Sequence, residues 1–155
     1  MVATGSTHFV PPLEGLDTVE KHFTFLSLDD GKKLEAALTP ESRVFILGAG
    51  LIGLKCAEGI ARRVRSVEVA DLANQVLPSI LDEEGAKRVQ AHLEKQGLTF
   101  HLGDTVARFS GNTATLQSGA SVNFDVLVLA VGVRPNVSLV QDAGGRVERG
   151  VVIDS

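Results

Sequence analysis

One segment constrains the fold more than any other: Arg43-Val44-Phe45-Ile46-Leu47, followed by Gly48-Ala49-Gly50-Leu51-Ile52-Gly53. A continuous apolar run that ends in glycine is the pattern of a strand buried on both faces of a parallel sheet. The residues after it read as a helix over 51–64, because Ile52, Cys56, Ile60 and Val64 recur at four-residue spacing. Arg62, Arg63 and Arg65 stand near its expected carboxyl end, where cations favour the dipole. A strand, a complete G-x-G-x-x-G and a helix in immediate succession make a chain crossing of defined shape. The first glycine permits the tight turn, the second lets backbone approach a pyrophosphate, and the third brings helix and sheet together.

The remaining pattern extends this unit into a layered α/β domain. Ser66–Ala70 reads as the strand that returns beside the first, and residues 82–96 as a charged helix closed by Gly97 in a left-handed cap. Shorter runs at 98–102, 105–109 and 113–117 are separated by Gly103-Asp104, Gly111-Asn112 and Ser118-Gly119, so tight turns and antiparallel pairing are expected among the later ones. Phe124–Val131 is a further apolar strand and Val151–Ile153 a last short one. The order predicts an α/β fold: a Rossmann-like three-layer domain with a central parallel sheet, Arg43–Gly48 at its centre, and an antiparallel β-meander.

Upstream, Pro11, Pro12 and Gly15 break any period over residues 1–28, which read as an irregular lead-in with scattered anchors at Phe9, Leu13, Phe23 and Phe25. Asp29 and Asp30 are placed to cap a short helix through Leu38. The expected division is therefore a lead-in with a short helix over 1–40 and a nucleotide-binding domain over 41–155.

The chemistry centres on the glycine loop and an acid. Phosphates laid on Gly48, Gly50, Leu51, Ile52 and Gly53 meet the amides and the positive dipole end of the helix. Asp71, eighteen positions beyond Gly53, stands where a carboxylate hydrogen-bonds the hydroxyls of an adenine ribose. The same charge repels a 2′-phosphate, and Leu72-Ala73-Asn74-Gln75 offers no arginine to receive one, so NADH is expected in preference to NADPH. Plainer readings stand beside these: a compact strand-to-helix turn for the glycines and a solvated strand-end acid for Asp71. The loop by itself suits NAD, FAD or S-adenosylmethionine.

Composition narrows the classes. A net charge of −4 with pI near 5.5 gives no uniform attraction for nucleic acid or anionic lipid. No run approaches the ~20 apolar residues of a bilayer span, and the amino-terminal residues lack a signal-peptide pattern, so neither nucleic-acid nor membrane partners are expected. The single cysteine, Cys56, permits no intrachain disulfide, which fits a reducing, cytoplasmic setting. It lies on the apolar stripe of its helix and reads as a core residue. His8, His22, His92 and His101 form no i, i+4 pair suited to a metal, and Glu83 with Lys87 and Glu84 with Arg88 read as surface helix pairs.

Four stretches, in order, resemble landmarks of the FAD-dependent pyridine nucleotide-disulfide oxidoreductases, of the NADH oxidase, CoA-disulfide reductase and rubredoxin reductase types. Ala3-Thr4-Gly5-Ser6 with Pro11-Pro12 and Gly15 is similar to that family's passage from its first FAD-binding part into its NAD domain. Asp71–Pro78 is similar to the stretch after that domain's second strand. Phe124–Val131 with Gly132-Val133-Arg134-Pro135-Asn136 resembles its closing strand and loop, and Gly150–Asp154 its re-entry into the FAD domain. The resemblance implies an NAD(H)-binding domain that presents NADH to FAD held by parts absent from this chain, with Val131 and Gly132 beside the nicotinamide.

On that reading residues 1–40 are a linker from a missing FAD-binding segment, and the FAD-binding domain is the partner. The isolated chain is then expected not to turn over, and Phe9 and Leu13 supply apolar surface for a homodimer. Lys55 departs from the glutamate usual at its place, and reads either as a partner for a carboxylate elsewhere or as a solvated lysine. An ordinary turn remains an alternative for Val131-Gly132. A methyltransferase using S-adenosylmethionine and a non-catalytic nucleotide-sensing module remain alternatives for the whole.

Overall fold

The computed structural model describes residues 1–153, which divide into two compact units, Val10–Val131 and Met1–Phe9 with the segment from Gly132 onward. The first contains five parallel strands in the order β2-β9-β3-β4-β5: β2 (His22–Thr24), β3 (Arg43–Leu47), β4 (Ser66–Asp71), β5 (Leu98–Leu102) and β9 (Val126–Leu129). The run at 43–47 is central, as its unbroken apolar character requires, with Val44 opposite Val67 on one side and Val126 on the other.

Alternation along these strands produces the layers. Val44, Ile46, Val67, Val69, Val126 and Val128 face one way, into a core shared with helices α1 (Leu28–Ala37), α2 (Leu51–Ile60) and α3 (Glu83–Glu94). Phe45, Leu47, Ala70, Leu127 and Leu129 face the other way, against Phe109, Ala114, Leu116 and Val122 of an antiparallel meander: β6 (Val106–Ser110), β7 (Thr113–Leu116) and β8 (Ser121–Asn123). Phe124 knits this second core together, stacked on Phe45 at 5.9 Å between centroids and edge-on to Phe109 at 6.0 Å. The expected three-layer arrangement with its meander is present.

Several local expectations are corrected. The lead-in is not irregular throughout: His22–Thr24 is the edge strand beside β9 and Val19 is buried. Backbone pairing with β9 organises this three-residue strand, and no period in so short a run announces it. The cap of α1 is Ser27 rather than Asp29 or Asp30. Its side chain accepts from the Asp30 amide while the Asp30 carboxylate accepts from the Ser27 amide.

Helix α2 stops at Ile60, so Arg62, Arg63 and Arg65 lie beyond it. Asp82 caps α3, and Gly97 takes the expected positive φ of 93°. In the second unit, β1 (Ser6–His8) pairs antiparallel with β10 (Val133–Pro135), and the short helix α4 (Ser138–Asp142) follows. Val151–Ile153 is not a strand: Val151 makes one isolated bridge to Val147, and Asp154 lies outside the described residues.

Candidate functional site

Strands β3, β4 and β9 run parallel as neighbours, so their carboxyl ends bring the glycine loop, Asp71 and Ala130-Val131 to one edge of the sheet. This is the edge at which open α/β sheets take ligands.

The three glycines have different physical reasons. Gly48 has φ of 116°, and a Cβ there would stand 2.4 Å from the Ala130 carbonyl oxygen, so the β9 backbone passes too close for any side chain. A Cβ on Gly53 would stand 2.0 Å from the Gly48 carbonyl oxygen, because the first turn of α2 is packed onto the loop. Gly50 differs: its φ is an ordinary −76°, and a Cβ would meet nothing within 4 Å. The fold needs glycine at 48 and 53 but not at 50.

Hydrogen bonds lock the loop to the end of β4 and to the segment that follows it. The Gly48 amide donates to the Ala70 carbonyl at 2.8 Å, and the Ala49 amide donates to the Asp71 carboxylate at 2.6 Å. The other oxygen of Asp71 accepts from the Ala73 amide at 2.8 Å, and the Ala49 carbonyl accepts from the Leu77 amide at 2.9 Å. Leu77 holds φ of 51°, the one positive value among the described non-glycine residues. A residue before proline ordinarily favours extended backbone, so contact with the loop sets this angle and sequence reasoning did not find it. Ala130 was also missed: its Cβ lies 3.4 Å from where a Gly53 Cβ would sit, which leaves room only for a small residue.

The helix start itself carries no cap. Gly50 occupies the N-cap of α2 and no side chain bonds to that turn, whereas Ser27 and Asp82 cap the other two long helices. Leu51 and Leu72, next in sequence to Gly50 and Asp71, are 57% and 68% exposed. Ile52 is half-buried and Val131 packs partly against the meander-side core. Gly132 takes φ of 114° and opens the second compact unit. Two clefts flank the region. One, of about 340 Å³, is mainly apolar, and Leu51, Leu54, Leu77, Val89 and Leu93 line it together with Lys55, Glu58 and Arg88; the other, of about 400 Å³, is polar and includes Asn74, Gln75 and Lys87.

Other reactive residue types are engaged in the structure. Lys55 donates to Glu58 at 2.6 Å on the exposed side of α2, which holds the Glu58 carboxyl below its usual range. Cys56 is buried, and burial pushes its thiol up to about 12, so it is a core residue and no thiolate at neutral pH. His101 pairs with Glu68 at 2.8 Å across neighbouring strands. Both expected ion pairs on α3 form, Glu83 with Lys87 and Glu84 with Arg88. Among the described residues no group of three or more His, Cys, Asp or Glu is placed to hold a metal, and no helix is long and apolar enough to cross a membrane.

Comparison with known proteins agrees with this architecture. The model of a family described as pyridine nucleotide-disulphide oxidoreductase matches residues 1–155. The chain is 34% identical over 152 residues to an NADH oxidase of Methanocaldococcus jannaschii, covering 95% of this chain and 34% of that protein. It is 35% identical over 159 residues to a nitric oxide reductase FlRd-NAD(+) reductase of Salmonella agona, covering 100% of this chain and 41% of that protein. Among solved structures, an FAD-dependent pyridine nucleotide-disulphide oxidoreductase from Desulfovibrio vulgaris is similar, with TM-score 0.82 and 29% identity over 96% of this chain and 39% of its own. The chain thus spans well under half the length of these relatives.

Proposed function

The chain belongs to the pyridine nucleotide-disulphide oxidoreductase family, and from that premise we propose that it is the NAD(H)-binding domain of a flavin-dependent oxidoreductase. The observation that carries this reading is the glycine at position 50. No contact within the fold requires it, yet it stands at the uncapped start of α2, where a side chain would obstruct the approach of a pyrophosphate to the amides.

In this reading the pyrophosphate of NADH lies against Gly50, Leu51 and Ile52, while Gly48 and Gly53 keep strand and helix close enough to shape the seat. Asp71, at the end of β4, takes the adenine ribose. Val131 and Gly132 follow β9, and the absence of a side chain at Gly132 suits a close approach by the nicotinamide end. The chemistry supplied by FAD, which other parts of such a protein would hold, would be that of a hydride acceptor. What these residues contribute is orientation: a fixed pyrophosphate and ribose leave the nicotinamide little freedom. Relatives named as an NADH oxidase and a nitric oxide reductase FlRd-NAD(+) reductase support the choice of dinucleotide. The family match does not favour a methyltransferase.

Calorimetric titration of the purified chain with NADH and NADPH tests the proposal. NADH binding with at least about tenfold preference over NADPH is expected, since one lost hydrogen bond to a charged group and a repelled phosphate each act in that direction. Absence of NADH binding, or equal affinity for both, overturns it.

A further inference from the structure

Ala49 is fully buried and lies beyond the end of β3, where the chain has begun to turn at Gly48. A buried amide without an acceptor is costly. The acceptor here is the Asp71 carboxylate at 2.6 Å, whose second oxygen holds the Ala73 amide at 2.8 Å. On its other side, the carbonyl of Ala49 is fixed by the Leu77 amide at 2.9 Å. The amide of Ala49 is therefore pinned to the end of β4 and its carbonyl to the segment that follows, and the next residue, Gly50, is the N-cap whose turn faces the proposed pyrophosphate.

Resting on the dinucleotide reading above, we propose that Asp71 is also a positioning residue: its carboxylate sets the glycine loop in its binding form before ligand arrives. Each carboxylate oxygen accepts one amide and retains a second lone pair, so the strut and a ribose contact are compatible. One side chain then contributes at both ends of the adenosine diphosphate moiety, directly to the ribose and through Ala49 to the pyrophosphate seat.

The test separates the two contributions by crossing a protein change with a ligand change. Wild type and Asp71→Ala are titrated with NADH and with its analogue lacking both the adenosine 2′- and 3′-hydroxyls. A ribose contact alone predicts that the substitution weakens NADH but leaves the analogue unaffected. The strut predicts a further loss of about threefold to tenfold on the analogue, the scale of one net hydrogen bond. Unchanged affinity for the analogue overturns the proposal while leaving the dinucleotide reading intact.

The ligand-free chain supplies a second readout, in the near-isosteric Asp71→Asn, which has one carboxamide oxygen in place of two acceptors. The backbone amide proton of Ala49 or Ala73 is expected to move upfield and exchange faster, with the melting temperature held within a few degrees. Retention of both wild-type amide signals in Asp71→Ala overturns the strut even if the wild type binds neither dinucleotide, a result that would separately defeat the functional reading.

Discussion

The two edges of the parallel sheet are built on opposite terms. At the amino edge, where β3 and β9 begin, Arg43 and Asp125 satisfy one another. The guanidinium donates to both carboxylate oxygens at 2.8 and 3.0 Å, the Arg43 amide adds a bond at 2.8 Å, and the Asp125 amide donates to the Arg43 carbonyl. At the carboxyl edge, where the same strands end, the loop is pinned from below by Asp71 and Leu77, yet the turn that opens α2 has no side-chain cap. One edge is closed by side chains of the chain itself, and at the other the first turn of α2 carries no side-chain cap. Residue type does not account for the contrast, since an aspartate is central to both edges.

The largest effect that can break this contrast is expected from Gly53→Ala. Its methyl would meet the Gly48 carbonyl oxygen, so helix and loop must separate, with a loss of about 3 kcal/mol of stability in urea unfolding. NADH affinity should fall with it. A stable variant with intact binding would show that the loop is not tightly packed.

Gly50→Ala should behave differently and so sharpen the comparison. With open space around the new methyl, stability should change by no more than about 1 kcal/mol, whereas NADH binding should weaken by about tenfold or more, or ~1.4 kcal/mol. Equal losses at both positions in the unfolding assay would erase the distinction between a glycine for the fold and a glycine for the ligand.

The smallest effect belongs to the amino edge. The Arg43 guanidinium and amide hold the Asp125 carboxyl at about 2, below its unfolded value of about 3.9. A depressed folded value means that the contribution is present in full above the unfolded value and is lost as pH falls through about 2. Both side chains are more than a third exposed, so solvent screening keeps the contribution modest. Asp125→Asn should lower the urea midpoint slightly at pH 7 without changing NADH affinity, and that difference should shrink near pH 2. A difference that grows on acidification would overturn the assignment.

Much of the site was legible in the sequence because its signals are local. A buried strand, a glycine pattern and an acid at the end of the next strand are each written in consecutive residues, and β3, Gly48, Gly50, Gly53, α2, β4 and Asp71 follow in that order. The resemblance carried by Asp71–Pro78 and by Phe124–Asn136 marked the family, though it did not reveal that Leu77 bonds the loop. Helix α2 ends at Ile60 although its apolar spacing continues to Val64, since periodicity records a possible face and not where packing stops.

The sequence by itself determined the parallel core, its central strand and the identity of the loop, because side-chain alternation and backbone permissiveness act over a few residues. Only the tertiary structure decided that His22–Thr24 closes one edge of the sheet and that Ser6–His8 pairs with Val133–Pro135. It also decided that Asp71 reaches back to Ala49. The two strand pairings join residues far apart in the chain through backbone groups, which nearly every residue type carries, and the Asp71 carboxylate meets a backbone amide 22 positions earlier. Hydrogen bonding between them leaves no mark in the residue pattern and becomes visible only when folding brings the partners together.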